Sequence, residues 1–287
     1  MPNLRMIRRQ ITAVQSIQQV TRAMRMIAAS RLRRAQDALE CARPYAVRLN
    51  ELMEHMAARI DQEAEPFFEQ RERKRVTIIL VAGDRGLCRG FNANVQRLAI
   101  QRQKELEEQG IDTEFIAVGK KPVDFLRRRR IETLDEFPGI FQHLHFSDAA
   151  AISDLARNRF SSGETDEVEI IFNEFKTVLK QELRVLQYLP LKPVKPEEDS
   201  LTKYIYEPDK QEIWRELLDK FLNFEIWRIL LESDSSEQAA RMTAMEEATN
   251  NAEDVIKNLI SVRNKVRQTG ITTELSEIVG SAEALRV

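Results

Sequence analysis

The stretch from Asp209 to Thr269, DKQEIWRELLDKFLNFEIWRILLESDSSEQAARMTAMEEATNNAEDVIKNLISVRNKVRQT, contains neither glycine nor proline. Those two residues break helices most effectively, so a run of this length without either predicts one uninterrupted helix. Within it Ala248, Ala252, Val255, Leu259, Val262 and Val266 are spaced 4-3-4-3-4. That alternation is the seam of a coiled coil, and its alanines allow a second helix to approach closely. Pro208 suits the first turn, with Asp209 and Glu212 near the positive end of the dipole. From Asp209 to Ala282 the helix would be roughly 110 Å long. A single domain cannot bury such a rod, so it must lie against another long helix or inside a partner.

The chain offers one such helix. Residues Asn3 to Arg43 also lack glycine and proline. Leu4, Ile7, Ile11 and Val14 are spaced 3-4-3, and Ile17, Val20, Met24 and Ile27 repeat the pattern. The two runs are joined by a spacing of three, which predicts a small stammer in the seam. Pro44 falls inside a pattern that continues through Leu49, Leu52 and Met56, which predicts a kink. Residues 1–43 hold nine arginines against Asp37 and Glu40, whereas acids outnumber bases beyond residue 208. The charges are therefore complementary. Because the chain must return through its middle, the pair should be antiparallel.

The middle is punctuated and reads as α/β. Val76 to Ala82 (VTIILVA) is an apolar, β-branched run of the kind that forms a buried parallel strand. The turn GDRGLCRG follows, then a helix over about Asn92–Gln109, and a second strand over Thr113–Val118. A helix over Asp148–Phe160 precedes strands over Val168–Phe175 and Leu183–Leu189. The alternation predicts a small doubly wound, Rossmann-like domain inserted into a long antiparallel coiled coil. The segments are then 1–60 for the first helix, 74–190 for the inserted domain and 207–287 for the last helix.

Composition narrows the function classes. The net charge is −2, with 43% hydrophobic and 31% charged residues. No window approaches the roughly 18 consecutive apolar residues of a membrane span, so direct membrane insertion is not expected. Cys41 and Cys88 show no metal-ligand or disulfide spacing, and the only histidines are His55, His143 and His145. No catalytic, metal or cofactor site is expected. The turn holding Gly83, Gly86 and Gly90 could cradle a phosphate on backbone amides. It matches neither dinucleotide nor phosphate-loop spacing, however, so a tight turn packing a helix on a sheet explains it better. Cys88 within it reads as a small buried thiol. Arg127 to Arg130 reads as a solvated loop or helix end. The first helix carries Arg5, Arg8, Arg9, Arg22, Arg25, Arg31, Arg33 and Arg34, but no aromatic residue interleaves them. An acidic protein partner explains that charge at least as well as nucleic acid does, and no nucleic-acid partner is expected.

Several blocks in order along the chain carry a resemblance. QVTRAMRMIAASRLRRAQ (Gln19 to Gln36), ARPYA (Ala42 to Ala46), GDRGLCRGFNAN (Gly83 to Asn94), YIYEP (Tyr204 to Pro208), EQAARMTAM (Glu237 to Met245) and NKVRQTGITTELSEIVG (Asn264 to Gly280) resemble the γ subunits of F-type ATP synthases. The match reaches from end to end. The resemblance implies a central rotor shaft inside a ring of three α and three β subunits. Its foot would stand on the membrane c-ring beside the ε subunit, with the δ subunit as a further candidate partner. It implies a peripheral position on the cytoplasmic face of a bacterial inner membrane, with nucleotide and catalysis left to the ring. Met24, Arg241, Gln268, Thr272 and Glu274 stand at the family's β-contact positions. Tyr204 and Tyr206 stand near the foot. The segment from Pro190 to Tyr204 is short and lacks cysteine, unlike the thiol-switch insertion of the chloroplast branch. Arg89 replaces a common glycine, and Gly270 lies in a helix interior, at a cost of about 1 kcal/mol relative to alanine.

Arg267, Gln268, Thr272 and Glu274 cluster just where the apolar seam ends at Val266. A seam that turns polar predicts a surface facing other subunits. Two other classes remain: a nucleic-acid-binding scaffold and a nucleotide-dependent enzyme. Neither accounts for long helices at both ends, each with motif blocks of its own.

Overall fold

The apolar run expected as a buried strand lies at the centre of a five-stranded sheet. In the computed structural model, which describes residues 4–57, 60–61, 65–193, 207 and 209–284, the elements are α1 (Leu4–Ala57), β1 (Arg75–Val81), α2 (Phe91–Glu107), β2 (Asp112–Val118), α3 (Lys120–Arg129), β3 (Thr133–Phe137), α4 (Phe146–Ser161), β4 (Glu167–Phe175), β5 (Gln181–Leu189) and α5 (Lys210–Ala284). The chain divides into two compact units: residues 29–241, and residues 1–28 with 242–287. The two long helices contribute to both.

In the larger unit the strand order is β3-β2-β1-β4-β5, with β5 antiparallel and the other pairs parallel. β5 reverses direction because only residues 176–180 connect it to β4, too few for a crossover. Both faces of the sheet are dry. On one, Ile78, Leu80 and Phe115 pack under Val95 and Ala99 of α2 and Leu126 of α3. On the other, Ile79, Ile116 and Ile170 pack under Ile152 and Phe160 of α4 and Leu222, Ile226 and Leu230 of α5. The last helix is thus one of the sheet's covering helices. Tyr188 of β5 ties it there, donating its hydroxyl proton to the Leu222 carbonyl at 3.1 Å. Beside this, Leu49, Met53 and Met56 of α1 meet Trp214, Leu217 and Leu218 of α5 in an apolar, antiparallel contact. α1 runs through Pro44 as one helix.

The smaller unit is a helix pair whose seam differs from the expected one. Its inward positions on α1 are Ile7, Ile11, Val14, Gln18, Thr21, Arg25 and Ala28, all buried or half-buried and spaced 4-3-4-3-4-3. There is no stammer. The second apolar run lies outward instead, with Ile17 55% and Val20 57% exposed. On α5 the seam is Met245, Thr249, Ala252, Ile256, Leu259, Arg263 and Val266, while Val255 and Val262 are exposed. The physical reason is that polar and small side chains (Gln18, Thr21, Arg25, Thr249, Ala252 and Arg263) share the seam with Ile7, Ile11, Val14, Met245, Ile256 and Leu259. An apolar pattern alone therefore does not mark the inward face over its whole length. The Thr249 hydroxyl donates to Thr21 Oγ1 at 2.8 Å, and Arg25 meets Glu246 at 3.3 Å, which fixes the antiparallel register. That half-exposed ion pair contributes at most about 1 kcal/mol, so the charge complementarity orients the pair more than it stabilises it.

Candidate interaction surfaces

The pairing of Thr21 with Thr249 sets Leu4 opposite about Val266. Residues 267–284 therefore continue past the described start of α1, and residues 267–279 and 281 are all exposed. Arg267, Gln268, Thr272 and Glu274 stand together there, as expected. Thr272 donates its hydroxyl to the Gln268 carbonyl at 3.0 Å, and Thr273 and Ser281 likewise bond to their own helix. The sequence reading missed their apolar neighbours. Ile271, Leu275, Ile278 and Val279 are also exposed, Ile278 to 65%. Their i, i+4, i+7, i+8 spacing is an amphipathic signal that was legible. Together with Ile17, Val20, Met26 and Ile27 on α1 and Val255 and Val262 on α5, they set exposed aliphatic side chains among the charged and polar residues on the outside of the smaller unit. Apolar surface exposed in quantity marks a binding face. Met24 is half-buried at the edge of this unit.

A second surface is the turn after β1. Its amides are used within the chain. Gly83 N–H donates to Asn92 Oδ1 at 2.9 Å, and Asn92 Nδ2 returns a bond to the Arg85 carbonyl. Asp84 is buried and accepts three backbone N–H bonds, from Lys120 at 2.8 Å, Gly139 at 2.9 Å and Phe141 at 3.0 Å. One carboxylate thereby clips together three loops at the strand ends. Leu87 and Arg89 have φ of 62° and 51°, the left-handed region that favours glycine. This is the physical sense of the glycine for which Arg89 stands. Arg85, Leu87 and Arg89 are exposed as a crown, while Cys88 is buried beneath it, where burial pushes its thiol pKa up.

Arg241, expected at a subunit contact, is only 6% exposed. Its guanidinium pairs with Glu237 and donates to Gln238 Oε1 at 3.0 Å and to the Gly86 carbonyl at 3.4 Å. Within the chain it holds the turn to α5. Tyr204, Tyr206 and Pro208 lie outside the described residues. Among the described residues, no three His, Cys, Asp or Glu side chains are grouped to hold a metal, and no helix is long and apolar enough to cross a membrane.

The family model for ATP synthase matches residues 3–285. Proteins named ATP synthase gamma chain from Chlorobaculum parvum and Chlorobaculum tepidum are 43% and 44% identical, with all of this chain and all of theirs covered. The chain belongs to the ATP synthase gamma chain family. Solved structures agree on the fold. The central stalk of the Tetrahymena thermophila mitochondrial ATP synthase matches with a TM-score of 0.60 at 22% identity, over 80% of this chain and 99% of that one. A chain of the Euglena gracilis mitochondrial ATP synthase matches with a TM-score of 0.65 at 18% identity, over 98% and 94%. Family membership places the bare end of α5, the apolar helix pair and the exposed crown in a chain built to work inside an assembly.

Proposed function

We propose that this chain is the central stalk of an F-type ATP synthase, turning within three α and three β subunits and coupling ion-driven c-ring rotation to ATP synthesis or hydrolysis. The observation that carries the reading is the smaller unit. A helix pair that keeps Ile17, Val20, Ile271, Leu275 and Ile278 exposed can bury those side chains only against whatever surrounds it. The ring supplies that environment, and the bare end of α5 enters it. Gln268, Thr272, Glu274 and Arg267 contact β subunits there, and Met24 does so lower on the pair. Arg241 reaches a β subunit only through the edge of its guanidinium, since its other bonds are internal. The foot, with Tyr204 and Tyr206, meets the ε subunit and the c-ring, with the δ subunit elsewhere in the complex. The chain has no catalytic role of its own, and its place is peripheral, on the cytoplasmic face of a bacterial inner membrane.

Reconstitution tests this. The chain alone should not hydrolyse ATP, and adding it to α and β subunits should yield a stable, active assembly. Leu275→Ser with Ile278→Ser should leave the isolated chain's stability within about 0.5 kcal/mol, because both sites are exposed. Gln268→Leu with Thr272→Val should each cost about 0.5–1.5 kcal/mol of contact with the ring. Assembly and coupled turnover should fall in both double variants. Wild-type values in both would remove the α5 end from the mechanism, and hydrolysis by the lone chain would overturn the non-catalytic reading.

A further inference from the structure

The order of the sheet reverses between β1 and β4. The chain leaves β1 for β2 and β3 on one side, then returns to β4 on the other. In doubly wound folds the crevice outside these carboxyl ends is where phosphate-bearing ligands sit. Here α5 fills it. The Glu237 carboxylate rests on Gly83 so closely that a Cβ there would lie 2.5 Å from Glu237 Cδ. Arg241, one turn further on, pairs with that carboxylate and reaches the Gly86 carbonyl. Ser236 donates to the Asn173 carbonyl at the end of β4 at 3.1 Å. Glu237 is 2% exposed, so the pair is sealed from water.

We propose that α5 acts as a tethered ligand of its own α/β domain: the Glu237 carboxylate packs on Gly83 in the crevice at the β1 turn, and with Arg241 it latches the 83–90 turn to α5 in a single register. A purely apolar contact lets a helix slide by a ridge or rotate by a fraction of a turn. A buried ion pair that packs on Gly83 at one end and bonds the Gly86 carbonyl at the other admits one arrangement, and setting register is the best-attested use of such pairs. A load on the crown then reaches α5 through Glu237 and Arg241 with no slack. Both are positioning residues, and their part in rotation rests on the stalk reading above.

Hydrogen exchange on the full chain tests the latch directly. Glu237→Gln keeps the shape and loses the charge, while Gly83→Ala keeps the charge and intrudes on its seat. Each should speed exchange of the turn's amides by roughly 10- to 100-fold, the range expected for a lost charge-assisted hydrogen bond, with β2 and β3 unchanged. Glu237→Asp withdraws the carboxylate by one methylene, so combining it with Gly83→Ala should restore protection that Gly83→Ala alone has lost. Unchanged exchange in both single variants, or no recovery in the combination, overturns the latch. In assembled ATP synthase in proteoliposomes, Glu237→Gln should lower protons pumped per ATP hydrolysed, and the rescued pair should recover it. If exchange responds as stated but the wild-type chain fails to support assembly, the stalk reading fails and the latch stands. If assembly succeeds and exchange does not respond, the latch alone fails.

Discussion

The larger unit encloses its largest apolar side chains, whereas the smaller one divides its own between an inward seam and an exposed outer stripe. Phe160, Ile152 and Ile79 are fully enclosed between sheet and helices, whereas Ile17 and Val20 face outward over a seam of Gln18, Thr21 and Ala28. The two units use similar residues under opposite rules. The α/β unit is finished by its own chain, and the helix pair is finished by others. Hydrophobic content therefore does not identify the inside of a helix pair.

The sharpest way to break this contrast is to cut one apolar side chain from each unit. Phe160→Ala should cost about 3–5 kcal/mol in denaturant unfolding of the chain, the usual range for a buried aromatic. Ile17→Ala should cost under about 0.5 kcal/mol, because its site is exposed. Comparable losses would mean that the outer stripe is covered within the chain. A second test examines how the larger unit completes itself. Asp84→Ala leaves three backbone N–H groups without their acceptor, one buried and two part-buried, and should cost roughly 3 kcal/mol, with amide exchange accelerating at Lys120, Gly139 and Phe141. Loss of protection at only one of them would show that the loops are held independently.

Local strain is a smaller lever. Arg89→Gly should stabilise the larger unit by about 1 kcal/mol, since a left-handed backbone penalises any residue with a Cβ. A loss on thermal melting would show that the arginine side chain outweighs the strain. The smallest effect concerns pH. Burial, and next the neighbouring Glu169, hold the Glu167 carboxyl above its ordinary range, against the pull of Arg73 and Arg102. Stability that depends on the protonated form is present below the ordinary value and is lost as pH rises through the raised one. Glu167→Gln should therefore gain on the wild type as pH rises above the ordinary carboxylate range, read as the difference in Tm. A constant difference would show that Arg73 and Arg102 offset the burial.

The two units also differed in how well the sequence announced them. β1, β2, α2, α4 and the great length of α5 were legible because apolar period, β-branching and breakers all agreed there. α3 and β3 were not: α3 ends in Arg127, Arg128 and Arg129, and β3 (TLDEF) is half-buried, so neither carries a strong apolar pattern. The seam phase was misread for the opposite reason, since Ile17, Val20, Val255 and Val262 carry a clear pattern that points outward. At the candidate surface the polar cluster from Arg267 to Glu274 was seen. Its apolar neighbours were passed over because the polar residues had already explained the end of the seam. Glu237 was invisible as a contact, because nothing in a sequence places a carboxylate against a glycine about 150 residues away.

The bare end of α5 also bears on how the cell handles this chain. An isolated helix of about 18 residues is marginal in water, and this one contains Gly270 and a stripe of aliphatic residues. A copy made ahead of its partners would offer proteases an easily opened segment and chaperones a greasy one. A copy captured by a ring would hide both. Unassembled chain should therefore be cleared faster than assembled chain, first by clipping beyond Val266, so that its abundance follows the supply of partners without any dedicated regulator.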